Sequence, residues 1–188
     1  MVLVTGANRG LGLELMEAAI AAGARKVYAA VRDPKQLAAL VERSAGRVEP
    51  LALDITDERS LAAAEKAPDV SVLFNNADVL ASYNVLTATS AQMTHDFATN
   101  FFGTLAATKA CLPALERAAQ AGPAAIVNVL SVESLANVPA LAAYSASRST
   151  RRRCVPPYRR QGSSRVGRST SPPRCSSRLQ RGLVPYQL

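Results

Sequence analysis

Val2-Leu3-Val4-Thr5, followed by Gly6-Ala7-Asn8-Arg9-Gly10-Leu11-Gly12, is the stretch that decides the fold. A short apolar run enters a glycine-rich loop. The chain leaves it on a helical period, with Leu11, Leu15, Ala18 and Ala22 on one face. Glycines at a strand-to-helix junction let the backbone turn tightly and approach a ligand, and the helix start beyond them favours an anion such as pyrophosphate. The spacing is G-x-x-x-G-x-G, so the loop argues through its place between a strand and a helix.

Outward from that junction the same alternation continues. Gly23 closes the first helix. Strands are expected at Lys26 to Val31, Val48 to Leu53, Val70 to Phe74 and Ala124 to Leu130. Helices are expected at Pro34 to Ser44, Asp57 to Lys66, and Ser90 to Leu115 with bends near Gly103 and Pro113. Continuous apolar strands alternating with helices predict an α/β protein, with a parallel sheet covered on both faces.

Such sheets bind ligands at the carboxyl ends of their strands, and the notable polar residues fall there. Arg32 follows the second strand, 20 residues past Gly12, where an acid would accept from a ribose 2′-hydroxyl and an arginine suits a 2′-phosphate. Arg9 in the glycine loop adds a second cation, while Asp33 before Pro34 reads as a helix cap. Asp54-Ile55 follows the third strand; the carboxylate either accepts from an adenine amino group or caps its own loop. Asn75-Asn76-Ala77-Asp78 follows the fourth strand. Asn100, Ser131 and Tyr144-x-x-x-Arg148 complete the set, with Tyr144 and Arg148 on one helix face.

In this order these residues resemble a short-chain dehydrogenase/reductase of the carbonyl-reductase-like type over Met1 to Arg148. The resemblance implies a Rossmann-like doubly wound parallel sheet that lacks the last family strands. It implies NADP(H) as cofactor and a carbonyl or alcohol as small-molecule substrate. Gly6, Gly10 and Gly12 would cradle the pyrophosphate, and Asn8, Arg9, Leu11, Tyr144 and Arg148 would also bind the cofactor. Arg9 and Arg32 would mark the preference for NADP. Asp54 and Ile55 would flank the adenine, and Asn76 and Ala77 would line the ribose side. Asn100 would support a proton relay, Ser131 would hold the substrate oxygen and Tyr144 would transfer the proton. A homo-oligomer would form through the long helix near residues 90–115.

The chain departs from the family pattern at particular positions. Asp78 stands in place of a glycine, which predicts a left-handed backbone there and a negative charge near the cofactor. Leu130 replaces a frequent serine, a minor change. Arg148 replaces the family lysine, keeping the charge but not the shape or the proton exchange, so that residue would serve cofactor and chemistry less well.

Composition changes abruptly beyond that residue. The chain has 22 Lys+Arg against 14 Asp+Glu, a formal +8. Ser149 to Leu188 holds 10 Arg, no Lys and no acid, leaving 12 basic against 14 acidic residues, or −2, in the body. The tail also holds 5 of the 11 prolines, many serines and no amphipathic period, which predicts a disordered segment beyond a domain of residues 1–148. Pro156-Pro157 would stop any helix near Cys154. No later run reads as a buried strand, so the fifth strand is expected to be an uncovered edge. Such a change of composition is what a shifted reading frame of a GC-rich gene would give.

Other classes find little support. Cys111, Cys154 and Cys175 have neither metal-ligand spacing nor an even count, which fits a reducing, cytoplasmic setting. No charged leader precedes Val2 and no run approaches a membrane span. His95, the only histidine, reads as a helix-surface residue without metal-forming neighbours. The tail arginines predict salt-sensitive adhesion to anionic surfaces, not specific nucleic-acid recognition. Three readings follow: an NADP(H)-dependent oxidoreductase impaired in this chain, a non-catalytic NADP-binding module, and a basic-tailed interaction protein.

Overall fold

The structure, a computed structural model, describes residues 1–84, 86–136, 139–154 and 158–160. Strands β1 (Val2–Thr5), β2 (Val27–Val31), β3 (Val48–Ala52), β4 (Val72–Asn75) and β5 (Ala124–Asn128) pair in parallel. A short β6 (Tyr158–Arg160) pairs antiparallel with β5, and the order across the sheet is β3-β2-β1-β4-β5-β6. Numbering that runs outward from β1 in both directions places a topological switch point between β1 and β4. It also puts the glycine loop and the Asn76 loop side by side. This is the doubly wound, Rossmann-like sheet that the sequence predicts.

Alternation along each strand sends side chains to two cores. Leu3, Tyr28, Leu51 and Leu73 face one side, where Cys111 and Leu115 of helix α5 (Thr104–Ala121) cover them. Val4, Val27, Ala29 and Val31 face the other, under Met16 of α1 (Gly10–Ala21) and Leu40 of α2 (Ala38–Arg43). Each fully buried Leu or Val side chain contributes roughly 1.5–3 kcal/mol of transfer free energy.

The helices differ from expectation in detail. A 3₁₀ turn at Pro34–Leu37 precedes α2, with Asp33 as its cap. The segment predicted at residues 57–66 divides into α3 (Glu58–Leu61) and a 3₁₀ turn, Ala62–Lys66. α4 (Ser90–Phe97) starts with a capping box between Thr89 and Gln92. Between α4 and α5 the chain is π-helical over Ala98–Gly103, which is the physical form of the bend expected near Gly103. A β-carbon at Gly103 would stand 2.8 Å from Cγ1 of Ile55, so only glycine lets this segment lie against the β3 loop.

α6 (Ala142–Cys154) carries Tyr144 and ends before Pro156, as its sequence predicts. It runs through the boundary expected at residue 148, and Arg151 within it is fully buried. Contrary to expectation, β5 is not left as a bare edge: Tyr158–Arg160 supplies it with backbone partners opposite Ala124, Ala125 and Ile126. A three-residue antiparallel strand needs only backbone groups, which is why no apolar pattern announced it. The remainder of the tail lies outside the described residues. Among the described residues no helix is long and apolar enough to cross a membrane.

Candidate active site

The carboxyl ends of the strands open into a cavity of about 940 Å³. The glycine loop forms one wall. Gly6 and Gly10 have φ of +67° and +53°, in the left-handed region that disfavours side chains. A β-carbon on Gly12 would lie 2.2 Å from the carbonyl oxygen of Gly6, so the start of α1 can press against the loop only as glycine. No side chain caps α1 and its first turn holds no acid, which leaves its N–H groups and positive dipole end to a ligand.

Thr5 locks this wall to the next. Its Oγ1 accepts from the backbone N–H groups of Asn76 and Ala77, both at 3.0 Å, and donates to the carbonyl of Phe74. The Asn76 amide donates in turn to the carbonyls of Thr5 and Gly6. Thr5 escaped the sequence reading because a threonine ending a strand carries no signal of what its hydroxyl meets.

Arg9, Arg32, Asp54, Ile55, Asn8 and Leu11 also line the cavity. Arg9 and Arg32 are exposed there. Asn8 donates to Gln36 at 2.6 Å, tying the loop to the segment after β2. Asp54 turns its carboxylate back on its own loop, accepting from the N–H and hydroxyl of Thr56 at 2.9 and 2.7 Å. That is the capping alternative, although the residue stays at the cavity wall. His95 reaches the same cavity from α4, which its helix-surface reading did not anticipate.

At the inner end stand Ser131, Tyr144 and Arg148, together with Asp78. Tyr144 donates its hydroxyl to Oδ2 of Asp78 at 2.9 Å. The same oxygen lies 3.5 Å from Nη1 of Arg148, whose guanidinium sits 5.4 Å from the centre of the Tyr144 ring. Burial pushes the Tyr144 hydroxyl up to about 12; the charge of Arg148 opposes this and the Asp78 carboxylate adds to it. Asp78 does not adopt the left-handed backbone expected of a glycine replacement. Among the described non-glycine residues only Ala45 has a positive φ. Ser131 donates to the carboxylate of Glu133, two residues on.

Asn100 lies in the π-helical segment, wholly buried, and does not reach the cavity. Its amide exchanges two 2.9 Å bonds with the backbone of Val79 and donates to Ser147 at 3.0 Å. Ser147 bonds the carbonyl of Tyr144 at 2.7 Å. One side chain thereby fixes both the Asp78–Val79 loop and the helix that bears Tyr144. Below them, Arg151 donates to the carbonyl of Asn75, and burial, then the charge of Arg148, pushes its guanidinium down to about 9.

The set is a nucleotide-sized cleft with a glycine loop, two arginines near one end and a tyrosine–arginine pair at the other. The chain is 32% identical over 157 residues to the uncharacterized oxidoreductase YusZ of Bacillus subtilis, covering 79% of this chain and 54% of that protein. It is 38% identical over 133 residues to the D-erythrulose reductase of Gallus gallus, covering 70% and 52%. A short chain dehydrogenase from Burkholderia cenocepacia, solved in complex with NADP, shares 40% identity and superposes with a TM-score of 0.73 over 81% of this chain and 62% of that one. This chain therefore spans about half the length of these curated relatives. The sequence pattern of the short chain dehydrogenases matches residues 1–154, through β1, the glycine loop, Asn76, Ser131 and Tyr144, and the chain belongs to that family.

Proposed function

We propose that the chain is an NADP(H)-dependent oxidoreductase acting on a carbonyl/alcohol pair, at a reduced rate. The observation that carries this is the joining of glycine loop, Arg32 and Tyr144–Arg148 in one cavity. The donor set fits the cofactor: uncapped α1 amides for a pyrophosphate, Gly6 and Gly12 where side chains would intrude, and Arg9 and Arg32 for a 2′-phosphate. The NADP complex of the Burkholderia cenocepacia relative supports the same cofactor. When bound, NADPH supplies a hydride.

The chain's own residues do the rest. Tyr144 holds a proton on Oη and donates it to the carbonyl oxygen as the carbon is reduced. Ser131 bonds the same oxygen once it turns from Glu133. Arg148 steadies negative charge on Tyr144 but keeps its own proton. Asn100 positions the tyrosine helix from outside the cavity.

Reduced rate is supported by the same geometry. Asp78 occupies the Tyr144 hydroxyl, Glu133 occupies Ser131, and Arg148 replaces a residue able to exchange protons. The Tyr144–Asp78 bond also favours a second reading, a cofactor-binding module without turnover. Fluorescence titration followed by a carbonyl panel separates them. NADPH is expected to bind at least about tenfold more tightly than NADH, or roughly 1.4 kcal/mol, and Arg32→Asp to narrow or reverse that ratio. Equal affinities would overturn the cofactor assignment, and binding without turnover would favour the module. A homo-oligomer through the long helix is part of the same proposal, supported by Phe102 standing 60% exposed on it; size-exclusion chromatography tests it.

A further inference from the structure

At the cavity's inner end, buried guanidinium nitrogens lack hydrogen-bond partners among the described residues. Arg148 is 2% exposed, lines the cavity, and among the described residues has no hydrogen-bond partner at Nε or Nη1. Arg151, one helical turn on, is fully buried, with Nε and Nη1 unpartnered among the described residues. Asp78 is the only acid in ion-pair reach of either among the described residues, at 3.5 Å and with its side chain 40% exposed. Ser149 to Leu188 contains no acidic side chain. Buried guanidinium N–H groups without a partner are costly, and a planar, bidentate carboxylate is the partner their geometry suits.

Asp78 shows what kind of group fits. Its carboxylate lies between the Tyr144 hydroxyl and the Arg148 guanidinium, the two groups that a substrate's oxygens would meet. It comes from a loop and not from a helix or strand, and it is the most exposed member of the trio. We propose that Arg148 accepts a substrate carboxylate next to the carbonyl oxygen that meets Tyr144, that Asp78 fills this place from within the chain, and that the substrate class is carbonyl compounds bearing a carboxylate on the adjacent carbon. This rests on the reading of the cavity as an oxidoreductase site and names its substrate class. Binding requires the Asp78 side chain to swing away from Tyr144 and Arg148, giving up one hydrogen bond and one ion pair to the incoming group. No covalent step is involved.

The test is binding of oxamate, an unreactive carboxylate that needs neither cofactor nor turnover, followed calorimetrically. Acetamide serves as the neutral control. Asp78→Ala is expected to bind oxamate at least about tenfold more tightly than the parent chain, since the internal competitor is gone. Arg148→Gln placed in that background should return binding to the parent's level or below. Tyr144→Phe in the same background should weaken it by about three- to tenfold, so one of the two variants suffices should the other unfold by circular dichroism. Acetamide should bind none of them. The proposal is overturned by unchanged oxamate affinity in Asp78→Ala, by affinity that survives both second substitutions, or by equal binding of acetamide. NADPH titration of the parent chain reads the parent proposal separately. NADPH binding by the parent chain without oxamate binding by Asp78→Ala sinks the subsite alone, and the reverse sinks the cofactor reading alone.

Discussion

Tyr144 is held in its protonated form by its surroundings. Its ordinary value of 10.0 is raised to about 12, by burial first and by Asp78 in part. The neutral phenol therefore contributes stability that is complete below pH 10 and lost as pH climbs toward 12. For chemistry the same sign favours proton donation over proton abstraction. Reduction is expected to show no alkaline limb from Tyr144 below pH 10, whereas alcohol oxidation should rise steeply across that range. In Asp78→Ala the limb should move to lower pH; an unmoved profile of kcat/KM would show that Asp78 does not tune the tyrosine. Tyr144→Phe is expected to abolish turnover while leaving NADPH affinity within about twofold, because the lost hydroxyl acts mainly in the transition state. Thr5→Val tests a different residue. It leaves the N–H groups of Asn76 and Ala77 without their acceptor, which should cost about 2–4 kcal/mol in urea unfolding. Residue types and order made Tyr144, Ser131, Arg32 and the glycines legible in the sequence. Asp78 was legible only as a charge near the cofactor, not as the partner of Tyr144, and Glu133 not at all, because their effect depends on where a carboxylate points.

Among the elements, α6 carries the largest imbalance. It buries two arginines three residues apart with one half-exposed acid between them and water. Replacing a buried charge that lacks good partners by an apolar side chain of similar length is often stabilising. Arg151→Met is therefore expected to raise the urea midpoint by the equivalent of about 1–4 kcal/mol. With its folded value near 9, Arg151 is charged in both states from pH 6 to 8, so the gain should be flat across that range. A lower midpoint would mean that its bond to the carbonyl of Asn75 outweighs the desolvation. The strands and α1 were legible because an apolar run followed by a 3.6-residue period has few alternative meanings. The π-helical turn at Ala98–Gly103 was seen only as a bend. It arises from tertiary demands, the contact of Gly103 with Ile55 and the burial of Asn100, which leave no local pattern. The end of α6 was legible through Pro156, and the pairing of Tyr158–Arg160 was not, since backbone bonds are indifferent to side-chain pattern.

For the whole molecule, turnover is expected to be weak, and Arg148→Lys alone is expected not to restore it, because Asp78 and Glu133 would still hold the Tyr144 and Ser131 hydroxyls. A family-like segment grafted after residue 154 together with Arg148→Lys, Asp78→Gly and Glu133→Ala should restore it. A rate that recovers with Arg148→Lys alone would place the whole defect in one side chain. The sheet margin offers a second test. A chain ended after Cys154 lacks the strand that covers β5 and is expected to scatter light on heating below the temperature at which one ended after Arg160 does so. The order of strands also bears on synthesis. β1 is made first yet lies between β2 and β4, and its second edge waits for Val72–Phe74. At about 5–20 residues per second, the ribosome needs roughly 2–9 s to travel from the end of β2 to the end of β4. Through that interval Val2-Leu3-Val4 presents an apolar strand with one side unpaired, long enough for a chaperone, or a neighbouring nascent chain, to reach it before its own partner exists.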